Sequence, residues 1–131
     1  MYVGKRKETK IQEVYQQRSQ RSIQHAISEI RKSPICPYVK TVYLYGSCAR
    51  KSQNYNSDVD LFLILNDEVD AEEIRDDIYI LKSKVSPGDL SLPEVDLKVV
   101  VGDQWKQNHM LYFQNIRKEG IPIWEKEPIL T

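Results

Sequence analysis

The run Val59–Leu65, "VDLFLIL", constrains the fold of this chain more than any other stretch. Leucine, isoleucine and phenylalanine fill it almost without interruption, which is typical of a short central strand buried on both faces. Its second residue is Asp60, and Asp58 stands immediately before it. Because aspartate is depleted in strands, two carboxylates at the start of a buried strand need a physical explanation.

Hydrophobic periodicity and proline divide the first part of the chain. Apolar residues at helical spacing predict one long helix, or two shorter ones, over about 9–32, with the polar stretch "QQRSQRS" between two apolar groups. Ser33-Pro34 and Cys36-Pro37 end this helical region, because proline lacks an amide hydrogen and restricts the preceding residue. A strand, "KTVYLY", then leads to Gly46.

The second half of the chain predicts two more helices and two more strands. Acidic residues fill the early turns of a helix over 67–85, which Asn66 or Asp67 can cap. Its apolar stripe consists of Ile74, Ile78, Leu81 and Val85. A strand over 94–101 follows, then a helix over about 103–118 that Gly120 terminates, and finally a short edge strand at "IPIW".

This order of elements predicts an α+β protein with a small mixed β-sheet flanked by helices. A length of 131 residues suits a single domain, 1–131. Lys and Arg together number 19, as do Asp and Glu, so no global charge indicates a nucleic-acid or membrane partner. We interpret the basic run at 5–7 as a solvated terminus.

Cysteine use indicates a reducing compartment. Cys36 and Cys48 occur in a sequence with no apolar leader and no run long enough to cross a bilayer, so we expect a cytoplasmic protein. His25 and His109 lie far apart in the sequence, and no Cys-x-x-Cys pair accompanies them. This spacing argues against a zinc site.

The carboxylates have a metal-binding and a structural interpretation. Side chains alternate along a strand, so Asp58 and Asp60 point the same way, about 6 to 7 Å apart. Asp96 is a third acid at an early strand position, between apolar neighbours. Such hard oxygen ligands suit Mg²⁺ or Mn²⁺, and three of them can hold a pair of ions for phosphoryl displacement. Alternatively, Asp58 caps a turn while Asp60 and Asp96 face water on a sheet edge.

Gly46-Ser47 favours the metal interpretation. A strand that ends in Gly-Ser and enters a short helical segment, "SCARK", presents backbone N–H groups that can bind an anion. Ser47 as an ordinary helix N-cap is the structural alternative. A phosphate site directly before a metal-binding strand is what a nucleoside triphosphate requires.

Together, Gly46-Ser47, Asp58-x-Asp60 and the separate Asp96 resemble the signature of the nucleotidyltransferase superfamily typified by DNA polymerase beta. The stretch "YLYGSCARKSQNYNSDVDLFLIL" is similar to the minimal nucleotidyltransferases of prokaryotes, whose motif reads G-S-x-A-R-G followed by S-D-x-D-L. The ending "YFQNIRKEGIPIW" also resembles that group, so the likeness spans about 39–124. Cys48 and Lys51 depart from the usual arginine and glycine.

The resemblance implies a polymerase beta-like nucleotidyltransferase fold and assigns roles to named residues. Asp58 and Asp60 would bind two Mg²⁺ ions, and Asp96 would complete the site of the ion that activates the acceptor hydroxyl. The β and γ phosphates would lie against Gly46 and Ser47, with added charge from Arg50 or Lys51. A surface ion pair is the alternative role of Arg50. Tyr43 and Tyr45 are expected to pack in the sheet.

The resemblance also implies a substrate and a partner. Minimal members of the superfamily lack the acceptor-binding domain of larger ones, and some adenylylate a helical toxin of the HEPN family and so act as its antitoxin. We therefore expect transfer of AMP from ATP, or of another nucleotide, to a hydroxyl on such a partner. A homodimer that completes the site, a non-catalytic binding module and a small-molecule nucleotidyltransferase remain alternatives.

Overall fold

The strand predicted at Val59–Leu65 lies inside a four-stranded mixed sheet. The structure is a computed structural model that describes residues 3–125 of the chain. Its strands are β1 (Val39–Tyr45), β2 (Val59–Leu65), β3 (Val95–Val101) and β4 (Ile121–Glu125). They are arranged in the order β3-β2-β1-β4, with β2 and β3 parallel and the other pairs antiparallel. This arrangement confirms the α+β prediction, the central position of β2 and the edge strand at "IPIW".

Alternation along β2 sends its side chains into two separate cores. On one face, Val59, Leu61 and Leu63 are fully buried within a large apolar cluster under the long helix. On the other face, Phe62 contacts the rings of Trp105 and Phe113 at centroid distances of 5.0 and 5.8 Å. Asp60 belongs to this second face, because it alternates with Val59 and Leu61.

A single helix, α1 (Val3–Lys32), forms the first part of the described chain. It begins several residues earlier than predicted and continues through the polar stretch "QQRSQRS" without a break. That stretch stays helical because its polar side chains bond to the rest of the fold. Ser22, for example, is fully buried and donates to the carbonyl oxygen of Pro93 at 2.7 Å.

The second helix, α2 (Arg75–Lys84), is much shorter than the prediction of 67–85. Residues 67–74 are mostly turns, and neither Asn66 nor Asp67 caps a helix; Ile74 precedes the first helical residue. The Asp70 side chain accepts a hydrogen bond from the Glu72 amide at 3.0 Å, and such local bonds compete with helix formation. The apolar stripe itself is confirmed, with Leu81 and Val85 buried in the core.

The third helix, α3 (Leu111–Glu119), also begins later than expected. A 3-10 turn, Gln104–Gln107, precedes it, and Asn108 is extended between the two. The Asn108 side chain accepts a hydrogen bond from the Met110 amide at 2.9 Å, which stabilises this break. Gly120 ends α3 as predicted. None of the described helices has the length and apolar character needed to cross a bilayer.

Replacing Phe62 tests the second core. Phe62 is 0% exposed, so Phe62→Ala should lower the free energy of unfolding by about 3–5 kcal/mol, measured by urea denaturation. Tyr79→Ala is the matched control, because Tyr79 is 65% exposed and should change stability by less than about 0.5 kcal/mol. Equal effects of the two substitutions would contradict the assigned burial.

Candidate functional site

The parallel pairing of β2 with β3 brings two of the predicted carboxylates together. Asp60 is the register partner of Asp96, so both side chains lie on the same face of neighbouring strands. Adjacent strands are about 4.8 Å apart, so these two acids lie closer together than two residues on the same face of one strand do. Asp58 lies exposed immediately before β2. The three acids therefore share one end of the sheet, where β2 and β3 begin.

This arrangement raises the pKa of Asp60. Partial burial raises the pKa of its carboxyl group above the ordinary value, and the negative charges of Asp96 and Asp58 raise that pKa further. Lys98 and Arg50 oppose the shift with positive charge. Burial and the neighbouring negative charges both make ionisation of Asp60 less favourable, and a bound cation would offset that cost.

Gly46 lies directly against Asp60. It follows β1 with a φ of 75°, a left-handed conformation in which glycine is favoured. A β-carbon at this position would collide with the Oδ2 oxygen of Asp60. Glycine at this position therefore accommodates both the left-handed backbone and the close approach of the Asp60 carboxylate.

The turn after β1 is not the short helix that we predicted. Residues 46–51 form consecutive turns instead, held by a bond from the Arg50 amide to the Gly46 carbonyl oxygen at 3.2 Å. The Ser52 amide donates to the carbonyl oxygen of Ser47 at 2.9 Å and closes the same loop. Ser47 is thus not the N-cap of a regular helix. Gly46 nevertheless lies against the Asp60 carboxylate, and Ser47 follows it in the same turn.

Arg50 forms an ion pair with α3. Its Nη1 atom lies 2.8 Å from the Oε1 oxygen of Glu119, and the two side chains are 52% and 27% exposed. This is the alternative role that we considered for Arg50. Its positive charge still reaches Asp60, so the ion pair and a position near the carboxylates coexist.

Lys51 adopts a conformation that suits glycine. Its φ is 57°, and it is the one non-glycine residue with a positive φ in the described part of the chain. It occupies the position where the related motif has glycine, so the turn keeps its shape despite the substitution. The Lys51 carbonyl oxygen accepts a hydrogen bond from Gln12 of α1 at 3.0 Å.

Cys48 joins the turn to α1 and to the start of β2. Its buried thiol donates to the Ser19 hydroxyl at 3.5 Å and lies 3.6 Å from the Asp58 carbonyl oxygen. Gln53 also donates to the Ser19 hydroxyl, at 3.4 Å. Burial raises the pKa of the Cys48 thiol, which keeps it protonated and able to donate.

Lys98 is a site residue that the sequence reasoning missed. Its Nζ atom lies 2.8 Å from the Oδ2 oxygen of Asp96, and this hydrogen bond raises the pKa of Lys98. The two residues are two positions apart on β3, so their side chains share a face of the sheet. The spacing D-x-K at the start of a strand was the available sequence signal. Glu119 gave no such signal, because its partner Arg50 is distant in sequence.

The three carboxylates are the kind of ligand that a divalent cation prefers, but their side chains are not arranged around a common point. Within residues 3–125, no three acidic, histidine or cysteine side chains converge closely enough to hold a metal as they stand. One reason is that the Asp96 carboxylate faces Lys98. Carboxylate oxygens are the ligands that Mg²⁺ and Mn²⁺ prefer, and the raised pKa of Asp60 indicates that a cation would be favourable there. A cation at Asp96 would compete with Lys98 for its carboxylate.

Comparison with known proteins identifies relatives of this architecture. The family described as "Polymerase beta, Nucleotidyltransferase" matches residues 24–129. A Sulfolobus solfataricus protein assigned as a nucleotidyltransferase has a similar crystal structure, with a TM-score of 0.57 and 20% identity over 88% of this chain and 87% of that one. At this identity the likeness concerns the fold. No curated protein sequence matches significantly.

Two further crystal structures show weaker similarity. A toxin–antitoxin with AMP-PNP has a TM-score of 0.49 and 22% identity over 77% of this chain and 71% of that one. A mutant of the toxin–antitoxin MntA–HpeT has a TM-score of 0.46 and 19% identity over 77% and 70% of the two chains.

Lys51→Gly should stabilise the protein. Glycine relieves the left-handed strain but loses more entropy on folding, so we expect a net gain of about 1 kcal/mol in the free energy of unfolding. Urea denaturation measures it, with Ser52→Gly as the neighbouring control that lacks a positive φ. A loss of stability in Lys51→Gly equal to that of the control would contradict the assigned backbone strain.

Asp60→Asn should stabilise the metal-free protein at neutral pH. Folding raises the pKa of Asp60, so its ionised form destabilises the fold above that pKa, and the penalty disappears as the pH falls through it. We expect a gain of roughly 0.5 kcal/mol at pH 7 after discounting for solvent screening. Urea denaturation with a chelator should show this gain shrinking towards acidic pH.

Asp103→Asn provides a control of opposite sign. A hydrogen bond from Lys40 lowers the pKa of Asp103, so its ionised form favours the folded state at neutral pH. The control should therefore lose stability at pH 7. If Asp60→Asn instead unfolds the metal-free protein, Asp60 has a structural role and the electrostatic account is wrong.

Proposed function

Because this chain belongs to the polymerase beta nucleotidyltransferase family, we propose that it transfers a nucleoside monophosphate from a triphosphate to a hydroxyl acceptor, with the help of a divalent metal. One observation carries the proposal: Asp60 and Asp96 are register partners, and a left-handed glycine lies directly against the Asp60 carboxylate. A structural role alone gives no reason to place a half-buried acid directly opposite a second acid.

The carboxylates would hold the metal. Asp58 and Asp60 would bind the ion that grips the triphosphate, and Asp96 would join them at the ion on the acceptor side. When bound, such a metal polarises the phosphoryl oxygens and lowers the pKa of the attacking hydroxyl. The protein's own contribution is to keep Asp60 partly buried, so that its charge is weakly screened, and to fix Asp96 opposite it through the β2–β3 pairing.

The turn at 46–51 would bind the phosphates. Gly46 leaves room for a phosphate close to the backbone, and Ser47 adds a hydroxyl beside it. Arg50 would reach the phosphates after it leaves Glu119, whereas Lys51 is exposed and would add charge at the rim. Because Arg50 and Lys51 both lie at the surface, their contribution to phosphate binding should be sensitive to ionic strength.

We propose ATP as the donor and a hydroxyl on a partner protein as the acceptor. The support is the sequence similarity to minimal nucleotidyltransferases, of which some adenylylate a HEPN-type toxin. Under this proposal the open end of the sheet, where the three acids lie, is the face that the partner approaches. The base of the nucleotide would be held by groups other than Tyr45, which is buried in the second core.

Calorimetric titration with ATP, with and without Mg²⁺, tests the proposed function. We expect binding that requires the metal and that falls at least tenfold in Asp58→Asn and Asp60→Asn, because each removes a charged ligand of the metal. Asp103→Asn is the control, since this exposed aspartate follows β3 at the opposite end of the sheet. Affinity that is unchanged in both site variants would exclude a carboxylate-bound metal and favour a non-catalytic binding module.

A further inference from the structure

The salt bridge on β3 gives the carboxylate end of the sheet its own cation. We propose that Lys98 neutralises Asp96 in the metal-free protein and moves to the phosphates of the bound nucleotide when a divalent metal takes Asp96. This inference rests on the proposed function and adds a substrate-binding residue to it. The family signature of glycine, serine and aspartates does not include a lysine at this position.

The geometry places Lys98 among all the groups that such an exchange involves. It lies on the same strand face as Asp96, two residues away, with its Nζ atom 2.8 Å from the carboxylate. Its charge also acts on Asp60 and on the Tyr45 hydroxyl. The ammonium group therefore lies beside two of the three carboxylates that would hold the metal.

A purely structural ion pair explains this arrangement less well. The side chains of Lys98 and Asp96 are 37% and 51% exposed, and solvent screens a pair of that kind so strongly that it stabilises a fold little. A divalent ion beside several carboxylates has twice the charge of an ammonium group and more oxygen ligands, so it should displace Lys98 from Asp96.

Displacement has a consequence for the lysine. An ammonium group displaced from Asp96 would be attracted to the nearest concentration of negative charge, and a bound triphosphate supplies one. The lysine stem is long and flexible, so Nζ can move several ångströms while the strand stays fixed. Phosphate oxygens held against the turn at 46–51 would be the nearest new anion under the proposed function.

Lys98→Met tests separately whether Lys98 neutralises Asp96 and whether it binds the phosphates. Without the lysine charge, free Mn²⁺ should bind about two- to fivefold more tightly, as measured by electron paramagnetic resonance in the absence of nucleotide. ATP in the presence of Mn²⁺ should bind about tenfold more weakly by calorimetry, because a charged phosphate contact is lost. Lys98→Arg keeps the charge and should stay near wild type in both measurements.

Lys40→Met is the matched control. Lys40 is also a strand lysine paired with an aspartate, Asp103, at 3.0 Å, but at the other end of the sheet. It should change neither affinity. Thermal melting checks that each variant folds, and Lys98→Gln replaces Lys98→Met if the latter does not.

The outcomes distinguish this inference from the proposed function. Unchanged Mn²⁺ affinity in Lys98→Met, or weakening of both affinities, would overturn the exchange while wild-type binding of ATP left the proposed function intact. Tighter Mn²⁺ binding in Lys98→Met, combined with no ATP binding by wild type, would support Lys98 as the counterion, overturn its transfer to the phosphates and count against the nucleotide site.

Discussion

The pairing of Asp60 with Asp96 across two parallel strands is the interaction on which the rest of the site depends. The half-buried carboxylate of Asp60 and the exposed carboxylate of Asp96 repel each other, and the surroundings reflect that repulsion. Lys98 binds one acid directly, whereas Gly46 brings backbone next to the other without a side chain. Lys98 thus offsets part of this repulsion, at a position that a metal would compete for.

The long helix holds this arrangement from the opposite face of the sheet. Its polar side chains bond to both loops that lead into the acid-bearing strands. On the β2 side, Gln12 donates to the carbonyl oxygens of Lys51 and Gln53. On the β3 side, Arg18 donates to Ser91 and Ser22 to Pro93. Polar side chains of α1 from Gln12 to Ser22 therefore bond to both loops, which accounts for a polar stretch inside a continuous helix.

Patterns local to a few residues were predictable from the sequence, whereas features set by distant contacts were not. The bounds of β2 and the two-faced alternation of its side chains followed from hydrophobic pattern alone. The starts of α2 and α3 were wrong because the side chains of Asp70 and Asn108 bond to nearby amides, which periodicity does not register. The Arg50–Glu119 pair depends on folding that joins distant segments. The roles of the three acids, of Gly46-Ser47 and of Lys51 in nucleotide transfer stay predictions.

Because side chains alternate along β3, Asp96 and Lys98 help to specify the register in which β3 pairs with β2. Val95 and Leu97 are buried in the large core, while Asp96 and Lys98 face the opposite side. If β3 slipped by one residue against β2, both charged side chains would enter the apolar core and both apolar ones would leave it. Burying those charges would cost far more than a misplaced valine. The residues proposed for chemistry thus also disfavour a one-residue slip of β3, which keeps Asp96 and Lys98 on the same face of the sheet as Asp60.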